Sequence, residues 1–176
     1  PQTFTYYINF PIGTTEIPAI TYEKGEASQT VSINTDGLSG TDGVIKVIVV
    51  AGNGVDQSEY KIVVTTAKSS ISTLDMIYLD GTPLAGFASN ITSYNHTLPV
   101  GTTVLPTITY DQGDEYQSVK VNAGDVNSIT RIVVTAEDGS STIYQISFSV
   151  AKATNASLKM IYLDGIPLAG FDPNVL

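Results

Sequence analysis

The sequence predicts an all-β fold built from tandem β-sandwich repeats, and three observations carry that expectation. Met76–Phe87 reads MIYLDGTPLAGF and Met160–Phe171 reads MIYLDGIPLAGF, matching at eleven of twelve positions with an offset of 84 residues. A repeat at that period decides architecture before any single residue does. The ordered-looking stretches are short, β-branched and separated by Gly, Asp, Asn and Pro, the pattern of sandwich strands. No segment keeps a helical period for three turns.

Each element follows from local chemistry. Thr3–Phe10 is rich in Thr and aromatics, Thr30–Ile33 alternates apolar and polar, and Val44–Ala51 is a nearly continuous Val/Ile run. Glu59–Thr65 places Tyr60, Ile62 and Val64 on one face. In the second copy Ser93–Leu98, Ser118–Val121, Ile129–Ala136 and Thr142–Val150 read the same way. Asp80-Gly81 and Asp164-Gly165 mark tight turns with glycine supplying a positive φ. Asn53-Gly54 and Asp138-Gly139 join the last two strands of their copies. Pro11 and Pro99 stand at strand ends, where a missing N–H costs least.

The repeat extends through the body. Pro11–Thr15 recurs as Pro99–Thr103, and Pro18–Tyr22 as Pro106–Tyr110, at an offset of 88. Ile48-Val49-Val50 then matches Ile132-Val133-Val134, and Tyr60 matches Tyr144, at 84. The first copy thus carries four extra residues, placed in a polar loop at Thr35–Gly43. The expected division is 1–70, a repeat lacking its first strand; 71–153, a complete repeat; and 154–176, the first strand of a further repeat. About seven strands in roughly 85 residues fit an immunoglobulin-like sandwich.

Three segments carry a family resemblance. Leu158–Phe171, Tyr94–Thr103 and Ile132–Ile146 resemble the bacterial cadherin-like or Ig-like β-sandwich repeats. That resemblance covers nearly the whole chain. It implies tandem modules of secreted or surface-anchored bacterial proteins, and it brings no catalytic residues with it.

Composition narrows the function. A net charge of −9 opposes phosphate backbones and anionic bilayers, so neither nucleic acid nor membrane insertion is expected. Charged residues are only 14%, leaving a surface of Thr, Ser, Asn and Gly suited to an extracellular setting. With no Cys, disulfides and thiolate metal sites are excluded. The single histidine, His96, aligns with Ile8 in the first copy and reads as a strand residue rather than a general base. No nucleophile-elbow, P-loop or HExxH pattern occurs. No catalytic residue, cofactor or metal is assigned. Asp111, Asp114 and Glu115 form the densest acidic patch, read as a solvated loop rather than a calcium site or a glycosidase pair.

Two functional expectations follow. The first is a non-catalytic stalk, fibre or adhesin spacer, whose partners are neighbouring repeats or identical subunits. In that setting Met160, Ile161, Leu163, Leu168 and Phe171 form the inter-repeat or donor-strand surface, since an apolar strand left in water must find a cover. The second is an accessory module binding a glycan or a cell-surface protein. Tyr7 and Tyr116 have no aromatic counterpart in the other copy and are its candidate contact residues, as are the loops 35–43 and 111–116.

Overall fold

The computed structural model describes residues 2–172, and every regular element among them is a strand. They form two compact units. One comprises Pro1–Ser72 with Gly113–Ser118 and Thr135–Ser141; the other comprises Thr73–Gln112, Val119–Val134 and Thr142–Leu176.

The first unit contains β1 (Gln2–Phe10), β2 (Thr30–Ser39), β3 (Asp42–Val50) and β4 (Gln57–Thr66). They make one sheet in the order β1-β4-β3-β2. The β1–β4 pair is parallel over nine rungs, from Gln2↔Ser58 to Phe10↔Thr66, while β2–β3 and β3–β4 are antiparallel. Ile45, Val47 and Val64 are buried on its inner face.

The second unit is a sandwich. Its elements are β5 (Leu74–Leu79), β6 (Thr82–Pro83), β7 (Ser93–Leu98), β8 (Ile108–Gln112), β9 (Ser118–Asn122), β10 (Ile129–Thr135) and β11 (Ser141–Val150). One sheet runs β6-β5-β8 and the other β7-β11-β10-β9. Between them lies a single core: Leu74, Ile77, Leu79 and Leu84 from one side meet Tyr94, Leu98, Ile132, Val134, Tyr144, Ile146 and Phe148 from the other. Two sheets, seven strands and one shared core define an immunoglobulin-like sandwich. A hairpin of β12 (Tyr162–Leu163) and β13 (Ile166–Pro167) follows; among the described residues it pairs only with itself.

The Asp-Gly turns differ from expectation in one respect. Asp80 and Asp164 also take positive φ, 49° and 46°, ahead of Gly81 and Gly165 at 77° and 79°. Two successive positive φ values make a type I′ turn, whose twist matches that of the joined strands. The Pro-x-Gly-Thr-Thr turns also coincide: Thr14 and Thr102 each donate their hydroxyl to the carbonyl of Pro11 or Pro99 at 2.8 Å.

The predicted loop at Thr35–Gly43 is mostly strand. β2 continues to Ser39 across an irregularity between Asn34 and Gly37, and β3 begins at Asp42. The extra residues lengthen a hairpin instead of bulging into solvent. They are also divided between two places. Six residues separate β3 from β4, Ala51 to Asp56, but five separate β10 from β11, Ala136 to Ser140. One added residue in the turn shifts the register of β3 by one. Hence Ile45 and Val47 are buried and Ile48 is half-buried, whereas Thr130, Ile132 and Val134 are the buried residues of β10. The Ile-Val-Val identity between copies therefore does not mark equivalent faces, because a one-residue shift exchanges them.

Candidate functional site

The same MIYLDG sequence stands in two environments. Ile77 and Leu79 are 0% and 7% exposed in the sandwich core, while Ile161 and Leu163 are 36% and 62% exposed. Leu168 is also exposed where Leu84 is buried, and Met160 lies at the surface; Phe171 is half-buried. The predicted donor residues are thus presented together on one hairpin with no sheet against them among the described residues.

The hairpin is locally built as its copy is. Leu84 N–H donates to the Ile77 carbonyl at 2.8 Å, and Leu168 N–H donates to the Ile161 carbonyl at 2.8 Å. Phe87 N–H reaches the Leu84 carbonyl and Phe171 N–H the Leu168 carbonyl, at 3.1 and 3.2 Å. Tyr78↔Pro83 and Leu79↔Thr82 are mirrored by Tyr162↔Pro167 and Leu163↔Ile166. Local sequence therefore specifies the hairpin, and only its cross-strand partner differs.

In the sandwich that partner is β8. Leu79 pairs with Ile108, Tyr78 with Thr109, Ile77 with Tyr110 and Met76 with Asp111. The Asp80 carboxylate accepts the Thr107 N–H at 2.8 Å, and Asp80 N–H donates to the Thr107 carbonyl at 2.9 Å. Tyr78 Oη donates to Asp111 at 2.6 Å, a bond to a charged acceptor that raises the Tyr78 pKa. At the core, Tyr144 Oη accepts the Leu74 N–H at 3.2 Å and donates to the Ser89 carbonyl at 2.7 Å. Phe87 lies 5.8 Å from Tyr94 and 5.9 Å from Tyr144, ring centre to ring centre.

The first unit has the opposite half of this arrangement. Residues 20–24, the counterpart of β8, carry no strand, although Ile20, Thr21 and Tyr22 repeat Ile108, Thr109 and Tyr110. A strand needs a ladder partner for its N–H and C=O groups, and among the described residues of this unit none lies beside them. The inner face of the sheet is left as two openings of 650 and 290 Å³. Ile20, Thr21 and Ile62 line both, with Tyr6, Tyr22 and Tyr60 at the larger and Ile45 and Val64 at the smaller. Tyr6 is 52% exposed where its counterpart Tyr94 is 9% exposed, and Tyr60 is half-buried where Tyr144 is wholly buried. Tyr60 stacks on Phe4 instead, at 5.1 Å.

Of the two surface tyrosines, one borders this opening. Tyr7, on β1, is 79% exposed at the margin of the larger opening. Tyr116 is 41% exposed in the loop before β9, where the Glu115 charge and partial burial raise its pKa. His96 packs edge-on against Phe148 at 5.8 Å, a packing role. The acidic patch is engaged locally: Asp111 holds Tyr78, and Asp114 accepts the Ser69 hydroxyl at 3.0 Å and the Tyr116 N–H at 2.7 Å. Among the described residues no group of three His, Cys, Asp or Glu is disposed to hold a metal.

One cluster escaped the sequence. Ser69 is buried, its N–H donated to Glu137 at 3.0 Å and its carbonyl accepting the Asp138 N–H at 3.1 Å. Gln117 Nε2 donates to the Ile71 carbonyl at 2.8 Å. Residues 69–71 are thereby fixed as ordered chain. A Ser in a Lys-Ser-Ser run gives no signal of this, because its partners lie far away in sequence.

The chain matches no protein-family model and no curated protein. Among solved structures it is similar to the N-terminal Ig1-2 module of the Drosophila receptor protein tyrosine phosphatase DLAR. Identity is 11%, over 72% of this chain and 76% of that one, with a TM-score of 0.17. A likeness at that score supports no argument, and the immunoglobulin-like architecture rests on the facing sheets of β5–β11. No helix among the described residues is long and apolar enough to cross a membrane.

Proposed function

We propose that this chain is a non-catalytic segment of tandem Ig-like repeats, 1–70, 71–153 and 154–176, in an extracellular or surface protein of bacterial type. Its work is mechanical: it holds reach and presents attached domains, with each repeat body completed by an IYLDG hairpin. The observation that carries this reading is the pair of environments of one sequence, core at Ile77 and Leu79 and surface at Ile161 and Leu163.

The sandwich topology suits load. β7 and β11 are parallel over six rungs, from Ser93↔Gln145 to Leu98↔Val150. Tension enters β11 from its C-terminal end and β5 from its N-terminal end, and it loads β7 from its N-terminal side once the β5 pairing gives way. Parallel strands pulled from opposite ends slide in shear, so the rungs share the force instead of opening singly.

Single-molecule stretching of the 176-residue chain tests this. The reading expects a distinct force peak followed by release of on the order of 250 Å of chain from the Leu74–Val150 span. Extension without a peak would contradict it. The exposed Tyr7 favours a second reading, an accessory module that stacks a glycan on aromatic rings. Retention of a cell-wall or host glycan, lost in Tyr7→Ala, would support that one.

A further inference from the structure

We propose that the open inner face of the first sheet is the receptor for the 156–171 hairpin of a second copy of this chain, docked in the register that β5 and β6 hold in the sandwich. Docking turns residues 20–24 into a strand. The inference rests on the repeat-completion reading above and names its partner and its contacts.

The occupant is identified by the chain itself. The equivalent face of the sandwich is filled by a segment matching the hairpin at eleven of twelve positions from Met160 to Phe171. The hairpin is preformed, with the same turn and the same internal hydrogen bonds, so docking costs it little ordering. Among the described residues the receptor face and the hairpin are both exposed in one chain. A contact between two different patches is heterologous and propagates head to tail.

Transposing the sandwich pairings gives the docked ladder: Leu163 opposite Ile20, Tyr162 opposite Thr21, Ile161 opposite Tyr22 and Met160 opposite Glu23. Asp164 would take the Ala19 N–H as Asp80 takes that of Thr107, and Tyr162 would donate to Glu23 as Tyr78 does to Asp111. Tyr60 would accept the Leu158 N–H as Tyr144 accepts that of Leu74. Phe171 would sit between Tyr6 and Tyr60 as Phe87 sits near Tyr94 and Tyr144.

Charge favours this hairpin over a β5-type one. At the irregularity between Leu74 and Met76 the sandwich carries Asp75 near Asp111. The hairpin carries Lys159 at that place, and the receptor carries Glu23. A like-charge neighbourhood becomes an opposite-charge one, which also sets orientation.

The test uses the full chain with Ile161→Asp and Leu163→Asp, which blocks the donor at exposed positions, and a labelled synthetic peptide of residues 155–172 as probe. Saturable anisotropy binding is expected, weakened at least tenfold when the peptide itself carries Leu163→Asp. Hydrogen exchange should show residues 20–24 becoming protected with the same midpoint. The unmodified chain should grow in mass with concentration by light scattering. Mixing the donor-blocked chain with an Ile20→Asp chain, whose receptor is blocked, should stop growth at a dimer. Absence of saturable binding overturns the receptor, as does assembly that persists within either blocked variant alone. Peptide binding by a chain that remains monomeric at every concentration overturns the second-copy partner. It leaves completion by a neighbouring repeat standing, and the stretching experiment judges the mechanical reading separately.

Discussion

Tyr144 Oη accepts the Leu74 N–H at 3.2 Å, so the last strand of the sandwich holds the first residue of β5 through its core. The same hydroxyl donates to the Ser89 carbonyl at 2.7 Å. Tyr144→Phe leaves both backbone groups without this partner and is expected to cost about 1–3 kcal/mol. Urea denaturation of the 176-residue chain, followed by tyrosine fluorescence, measures this.

The same residue gives a pH dependence. Burial raises the Tyr144 pKa above its ordinary value of 10.0, with the Leu74 hydrogen bond opposing. A raised folded-state pKa means the native chain keeps its proton after the unfolded chain has lost it. Its contribution is fully present below about pH 10 and is lost as pH rises through the folded pKa. Alkaline titration of stability should therefore decline more gently in Tyr144→Phe than in the unmodified chain.

Matched substitutions in the two IYLDG segments separate local from tertiary effects. Leu79→Ala empties a core position and is expected to cost about 2–5 kcal/mol. Leu163→Ala changes an exposed side chain and should move monomer stability by less than about 0.5 kcal/mol. Gly81→Ala places a side chain at φ 77° and should cost about 1–2 kcal/mol; Gly165→Ala, at φ 79°, should strain only the hairpin. Paired thermal melts at low protein concentration check the set.

Much of this was legible in the sequence, for stated reasons. Ser93–Leu98 reads as a strand and is β7, because period-two alternation and flanking turn residues are local signals. The hairpin within Met160 to Phe171 was legible from the repeat, because its turn and internal hydrogen bonds follow from the local sequence it shares with Met76 to Phe87. What failed depended on distant partners. Residues 18–22 match 106–110 closely, yet only the second set contributes a strand, because β8 exists by pairing with β5. The faces of β3 followed its turn length rather than its Val/Ile composition. From its sequence Asp80 is a turn residue alone; its carboxylate also fixes Thr107, twenty-seven positions away.

Glu137 should act as the clasp of residues 69–71. Its carboxylate accepts the N–H of buried Ser69, so Glu137→Ala leaves that donor without this acceptor and is expected to cost about 1–3 kcal/mol. Protease nicking between residues 67 and 72 should quicken before global unfolding. Glu137→Gln, which retains an acceptor oxygen, should restore most of the resistance.

The most direct measurement of the central claim is amide hydrogen exchange of the unmodified chain at increasing protein concentration. In dilute solution the Ile77 and Leu79 amides should be strongly protected and those of Ile161 and Leu163 weakly protected. As concentration rises, Ile161, Leu163 and residues 20–24 should gain protection together. Strong protection of Leu163 in the dilute monomer, or no gain at any concentration, would contradict the account.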